Sequence, residues 1–177
     1  GQDLVQSLFE EGIKEPFEVQ IEAIPPAMEG KDICCRAPTG SGKTLAFGLP
    51  LIERTSKAES KRPTSLVLTP TRELAEQIRN VLSPLASNYG MDVLSVYGGT
   101  SYGKQRSGLD RGVEILVACP GRLLDLMDKR ALTLDDVEIV VLDEADRMAD
   151  MGFMEPVCDI IESCGKKPQM ILFSATL

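Results

Sequence analysis

The stretch Ala37-Pro38-Thr39-Gly40-Ser41-Gly42-Lys43-Thr44 brings backbone freedom, one cation and one hydroxyl within eight residues. Glycines at 40 and 42 let successive N–H groups turn inward, and a helix that starts beyond them adds positive potential, so the loop can cradle phosphate oxygens. Lys43 then reaches the outer phosphates of a nucleotide, and the Thr44 hydroxyl serves as a ligand for Mg²⁺. The strict pattern has Gly where Ala37 stands. A plain glycine-rich turn between strand and helix is the competing reading. A second cluster, Asp143-Glu144-Ala145-Asp146, follows the apolar run Ile139-Val140-Val141-Leu142. A magnesium–nucleotide site needs a carboxylate beside the metal, and a hydrolase needs a group to orient or deprotonate water. Asp143 suits the first role and Glu144 the second. Capping of a following helix by Asp143 or Asp146 is the alternative, and both roles can coexist.

Such groups need a scaffold. Six runs rich in β-branched or other apolar residues read as strands: 32–36, 65–69, 93–97, 114–118, 138–142 and 169–173. Four have near-continuous apolar centres, the pattern of strands covered on both faces. Helical patterns lie between them at 19–28, 43–54, 72–88, 103–110, 121–128 and 154–163, with Pro84 expected to kink or end the third. Residues 56–63 are polar and read as an exposed loop. The alternation predicts an α/β fold: a mainly parallel sheet between two helical layers. Sheets of this kind bind ligands beyond the carboxyl ends of their strands, and each polar motif begins at such an end.

Bulk composition sets limits. At 177 residues and 43% hydrophobic content, the chain fits one domain with its own core. No run of about 18 apolar residues points to a membrane span, and no basic stretch followed by an apolar run opens the chain. We expect an intracellular monomer. The five cysteines lack metal-ligand spacing and there is no histidine, which removes Ser-His and Cys-His triads. Buried free thiols are expected, with Cys34 and Cys35 on opposite faces of one strand. The net charge of −8 argues against bulk electrostatic binding of nucleic acid, so any such site must be local.

Residues 143–146 spell D-E-A-D, and the chain resembles the DEAD-box RNA helicases along nearly its whole length. Ala37–Thr44 is similar to that family's first motif, and Pro70-Thr71-Arg72-Glu73-Leu74-Ala75 to the next. Gly98-Gly99 and Pro120-Gly121-Arg122 resemble two RNA-side elements, Ser174-Ala175-Thr176 the coupling motif, and Gln20 the adenine-reading glutamine. Singly, each has a plainer reading as a turn, a solvated helix end or a surface side chain; their joint order carries the resemblance.

The resemblance implies a RecA-like P-loop NTPase domain that binds ATP and Mg²⁺. It places adenine on Gln20, and phosphates on Ala37, Thr39, Gly40, Ser41, Gly42, Lys43 and Thr44. RNA would lie along Pro70, Thr71, Arg72, Gly98, Gly99, Pro120, Gly121 and Arg122. Asp146, Ser174 and Thr176 would couple hydrolysis to RNA binding. Arginines and backbone N–H groups suit phosphate oxygens, so RNA binding without sequence preference is expected. The resemblance also implies a second helicase domain, carrying an arginine that completes the ATP site. That domain lies outside this chain, which is expected to turn over poorly alone. Ile13, Phe17 and Cys119 depart from the family's usual aromatic, Ser/Thr and Thr. Loosened adenine selectivity is the expected consequence of the first two. A different P-loop ATPase, or an ATP-gated RNA clamp that does not separate strands, would use many of the same residues.

Overall fold

The computed structural model describes residues 18–37 and 42–176, with side chains from residue 22 onward within these. In chain order the elements are α1 (Glu18–Met28), β1 (Ile33–Arg36), α2 (Lys43–Arg54), β2 (Ser65–Leu68), α3 (Arg72–Ser87), β3 (Val93–Val96) and α4 (Tyr102–Arg111). There follow β4 (Ile115–Ala118), α5 (Pro120–Asp128), β5 (Ile139–Leu142), α6 (Ala145–Asp150), α7 (Met154–Glu162) and β6 (Gln169–Ser174).

The strands form one sheet in the order β1-β6-β5-β2-β4-β3, and every adjacent pair is parallel. The continuous apolar runs occupy its middle: β2, β4 and β5 are buried at every position, as strands covered on both faces must be. Alternate residues feed two cores. Val67, Val117, Val141 and Phe173 pack with Phe47, Leu51, Ile78 and Leu82 of α2 and α3. Leu66, Leu68, Leu116 and Val140 pack with Leu109, Leu123, Leu126, Val157 and Ile160 of α4, α5 and α7. This is the expected three-layer α/β/α arrangement.

Three local expectations are corrected. α3 continues through Pro84 to Ser87, because Leu82, Leu85 and Ala86 are buried around the residue and hold the turn against the lost N–H bond. α6 was absent from the helical patterns, six residues being too few to show a period, although the capping alternative for Asp143 or Asp146 implied a helix there. All five cysteines are free, as expected, but they are not buried. Cys34 and Cys158 are exposed and the other three partly so. Cys34 sits on edge strand β1, whose residues alternate between half-buried and exposed.

Register levels the strand ends. Leu68 lies beside both Ala118 and Leu142, and Val96 beside Ala118. β1 and β6 run on, with Arg36 beside Ser174. All the polar motifs therefore emerge along one edge.

Candidate functional site

Lys43 opens α2 from a Gly42 held at φ 81°, a left-handed backbone that glycine adopts without strain. This helix N-terminus faces the cleft, where its positive potential favours an anion. Asp143 and Glu144 leave the end of β5, two strands away across β6. The Lys43 Nζ lies 3.1 Å from Asp143 Oδ1 and 3.3 Å from Glu144 Oε2, with all three residues buried. With Thr44, Leu74, Gln77 and Ile78 they line a cavity of about 180 Å³.

The acids are held differently. Asp143 Oδ2 accepts from the Thr69 hydroxyl at 3.3 Å. Glu144 takes a left-handed backbone at φ 55° and ψ 51°, which is costly for a non-glycine residue and turns the chain abruptly from β5 into α6. Its Oε1 lies 3.7 Å from Arg147 Nη1. Asp143 Oδ1 and Glu144 Oε2 have no partner among the described residues other than the Lys43 ammonium. Burial pushes the Asp143 carboxyl above its ordinary range, against the pull of Lys43.

Two buried carboxylate oxygens answered only by the Lys43 ammonium, with Thr44 in the same cavity lining, make a hard-oxygen donor set that fits Mg²⁺. No group of three or more His, Cys, Asp or Glu converges among the described residues. Mg²⁺ takes one or two protein carboxylates and completes its shell with phosphate and water. Ala37 is buried and its amide donates to the Ser174 carbonyl at 3.0 Å, so that N–H is already engaged. Thr39, Gly40, Ser41, Ile13 and Phe17 lie outside the described residues; Gln20 is on α1 with its side chain outside them.

Asp146, in the first turn of α6, meets the end of β6. Its Oδ2 accepts from the Thr176 amide at 3.2 Å and the Thr176 hydroxyl at 3.0 Å, while the Ser174 hydroxyl donates to the Thr176 carbonyl. Burial raises the Asp146 carboxyl, but the bonds from Thr176 and the Arg147 amide outweigh it and hold the group below its usual range.

The remaining motifs gather at the other half of the edge, on β2, β4 and β3. Pro70 is buried, and Thr71 caps α3 by accepting from the Leu74 amide at 3.3 Å. Arg72 is exposed, and its guanidinium lies over the Tyr97 ring at 5.4 Å. Gly99 has φ 82°, and a Cβ there would stand 3.4 Å from Arg72 Nη1; a Cβ at Gly98 or Gly121 would meet nothing. Pro120 is the buried first residue of α5. Arg122 Nη1 donates to the Thr100 carbonyl at 3.3 Å and to Gln105 Oε1 at 3.1 Å, and its face lies 4.5 Å from the Tyr102 ring centre.

Sequence reasoning passed over Thr69, Arg147, Tyr97, Tyr102 and Gln105. Two tyrosines flanking Gly98-Gly99 near basic residues were a readable signal of nucleic-acid chemistry. The other three had none, since their partners are remote in sequence or set by a turn.

Comparison with known proteins agrees with this geometry. A family model described as DEAD/DEAH box helicase matches residues 17–177. The chain is 47% identical over 171 residues to DEAD-box ATP-dependent RNA helicase 5 of Arabidopsis thaliana, covering 92% of this chain and 32% of that protein. It is 45% identical over 175 residues to DEAD-box ATP-dependent RNA helicase CshA of Streptococcus pneumoniae, covering 99% and 33%. Among solved structures, a DEAD box protein from Methanococcus jannaschii superposes with a TM-score of 0.93 at 35% identity, over 100% of this chain and 48% of that one. A hypothetical ATP-dependent RNA helicase from Sulfolobus tokodaii gives 0.88 at 38% identity, over 99% and 51%. The chain thus spans about a third of the length of these curated relatives.

Proposed function

The chain belongs to the DEAD/DEAH box helicase family, and from that premise we propose that it is the ATP-binding, RecA-like domain of an ATP-dependent RNA helicase. Residues 1–177 act as one domain, a monomer inside the cell, and a second helicase domain of the same protein closes over the nucleotide. No helix among the described residues is long and apolar enough to cross a membrane. The observation that carries the reading is the cleft where Lys43, Thr44, Asp143 and Glu144 converge.

In this reading ATP enters that cleft with its adenine on Gln20. The backbone of Thr39, Gly40, Ser41 and Gly42 cradles the phosphates together with the N-terminus of α2. Lys43 contacts the outer phosphates, exchanging its carboxylate partners for phosphate oxygens. Thr44 and Asp143 hold Mg²⁺, which when bound neutralises charge on the phosphate oxygens. Glu144, buried at the end of β5 beside Lys43, orients the attacking water. Asp146, Thr176 and Ser174 carry the response of β5 and β6 toward RNA. Thr71, Arg72, Gly99 and Arg122, with Pro70, Gly98, Pro120 and Gly121 shaping their loops, hold the RNA sugar-phosphate backbone.

Calorimetric titration with a non-hydrolysable ATP analogue tests this. Binding is expected with Mg²⁺, at least tenfold weaker in chelator or in Asp143→Asn, by loss of a charge-assisted contact of about 1.4 kcal/mol or more. Equal affinity under all three conditions would remove the assignment.

A further inference from the structure

Gln105 belongs to none of the motifs, yet it joins two of them. It sits in α4, buried, and uses both ends of its amide. Its Nε2 donates to the Tyr97 carbonyl at 3.1 Å and to the Thr100 hydroxyl, in the loop after β3. Its Oε1 accepts from Arg122 Nη1 at 3.1 Å, in the first turn of α5. Since Nη1 also donates to the Thr100 carbonyl, both of its hydrogens are used. The Tyr102 ring, three residues before Gln105, lies against the guanidinium face. Two bonds at one nitrogen and the ring centre 4.5 Å from the guanidinium carbon restrict the rotation of this planar group. Its Nε and Nη2, three N–H donors in all, then present one fixed edge, and none of the three has a partner among the described residues. Fastening α4 to β3 would need only the Nε2 bonds; the bond from Arg122 goes beyond that.

We propose that Gln105 is a positioning residue for RNA binding: through Arg122, with Tyr102 as support, it orients the guanidinium edge that takes one phosphate of the RNA backbone. This rests on the RNA reading above and deepens it. A preset fork matches a phosphate with two parallel N–H bonds and loses less freedom on binding than a mobile one. α4 thereby fixes the spacing between the Gly98-Gly99 loop and Arg122, so that adjacent phosphates meet donors in register.

The test is fluorescence anisotropy of a single-stranded oligouridylate against this chain over a range of salt, for the unaltered protein, Gln105→Met, Arg122→Ala and the double variant. Met keeps the length of the side chain and removes both amide atoms. Gln105→Met should weaken RNA binding about fivefold and lower the salt slope by up to about 0.7, the share of one single-strand phosphate contact. The double variant should bind no more weakly than Arg122→Ala alone. Affinity for the ATP analogue, measured at the far half of the sheet edge, should stay within about twofold, reporting an intact fold. If Gln105→Met does not fold, Tyr102→Leu takes its place, with a smaller loss and the same non-additivity. Unchanged RNA affinity and slope in Gln105→Met, or a loss that adds fully to that of Arg122→Ala, overturns the inference while leaving the RNA reading intact. Failure of the unaltered chain to bind RNA, while it still binds the ATP analogue, removes the RNA reading and this inference with it.

Discussion

Lys43→Met removes one positive charge from between two buried acids and keeps most of the side-chain length. The Lys43 ammonium lies 3.1 Å and 3.3 Å from the two carboxylates, and at an effective dielectric near 20 each contact is worth roughly 5 kcal/mol of attraction. Much of that is offset by the cost of burying the ammonium. Removing one member of a buried ion pair therefore costs about 3–5 kcal/mol in practice. Asp143 softens the loss by taking up a proton, since burial already pushes its carboxyl upward and Lys43 is the main group opposing this. The expected destabilisation is at the low end, about 3 kcal/mol, or a fall in Tm of roughly 6–12 °C for a chain of this size. Urea and thermal unfolding in chelator, without nucleotide, would measure it. Lys43→Met/Asp143→Asn should recover at least half the loss by removing the stranded charge. A single variant within about 1 kcal/mol of the unaltered chain, or a double variant less stable than the single, would refute the reasoning.

Gly99→Ala forces a left-handed backbone on alanine and presses on Arg72; stability should fall by roughly 1 kcal/mol and RNA affinity in filter binding with it. Gly98→Ala, where a Cβ meets no protein atom, should leave stability unchanged. Cys119→Thr supplies a hydroxyl at an N-cap that has no side-chain bond and an extended backbone, so denaturation should show a gain of about 1 kcal/mol. Burial pushes the Cys119 thiol up to about 11, so no charge is lost in the exchange at neutral pH. Asp136 accepts two bonds from Arg62, at 2.8 Å and 2.9 Å, which hold its carboxyl below the usual 3.8. The stability from this pair is present above that value and lost as pH falls through the lower folded one. The difference between the unaltered chain and Asp136→Asn should vanish in acid and shrink with salt; a difference that persists in both would refute the assignment.

Much of the fold was legible because its signals are local. The runs Leu66-Val67-Leu68 and Ile139-Val140-Val141-Leu142 suited strands buried on both faces, as in a parallel sheet, and that is what they form. Gly42-Lys43-Thr44 and Asp143-Glu144 stood out through residue type and spacing, and the structure brings them into one cleft. Where local signals failed, packing had overruled them. Pro84 sits inside a continuous helix because its neighbours are buried, and Cys34 is exposed because β1 lies at the sheet's edge.

What the sequence by itself determined was which groups are available: one glycine-rich loop with a lysine and a threonine, one acidic pair, and a few arginines and glycines. Which of them meet was decided only by tertiary structure, through the strand order β1-β6-β5-β2-β4-β3. That order sets Lys43 against Asp143, Asp146 against Thr176, and Arg122 against Gln105, pairs 17 to 100 residues apart. The physical reason is that donor and acceptor chemistry is written residue by residue. Contacts at such separation are fixed by how the two apolar faces of the sheet are covered, and no spacing within a motif encodes that.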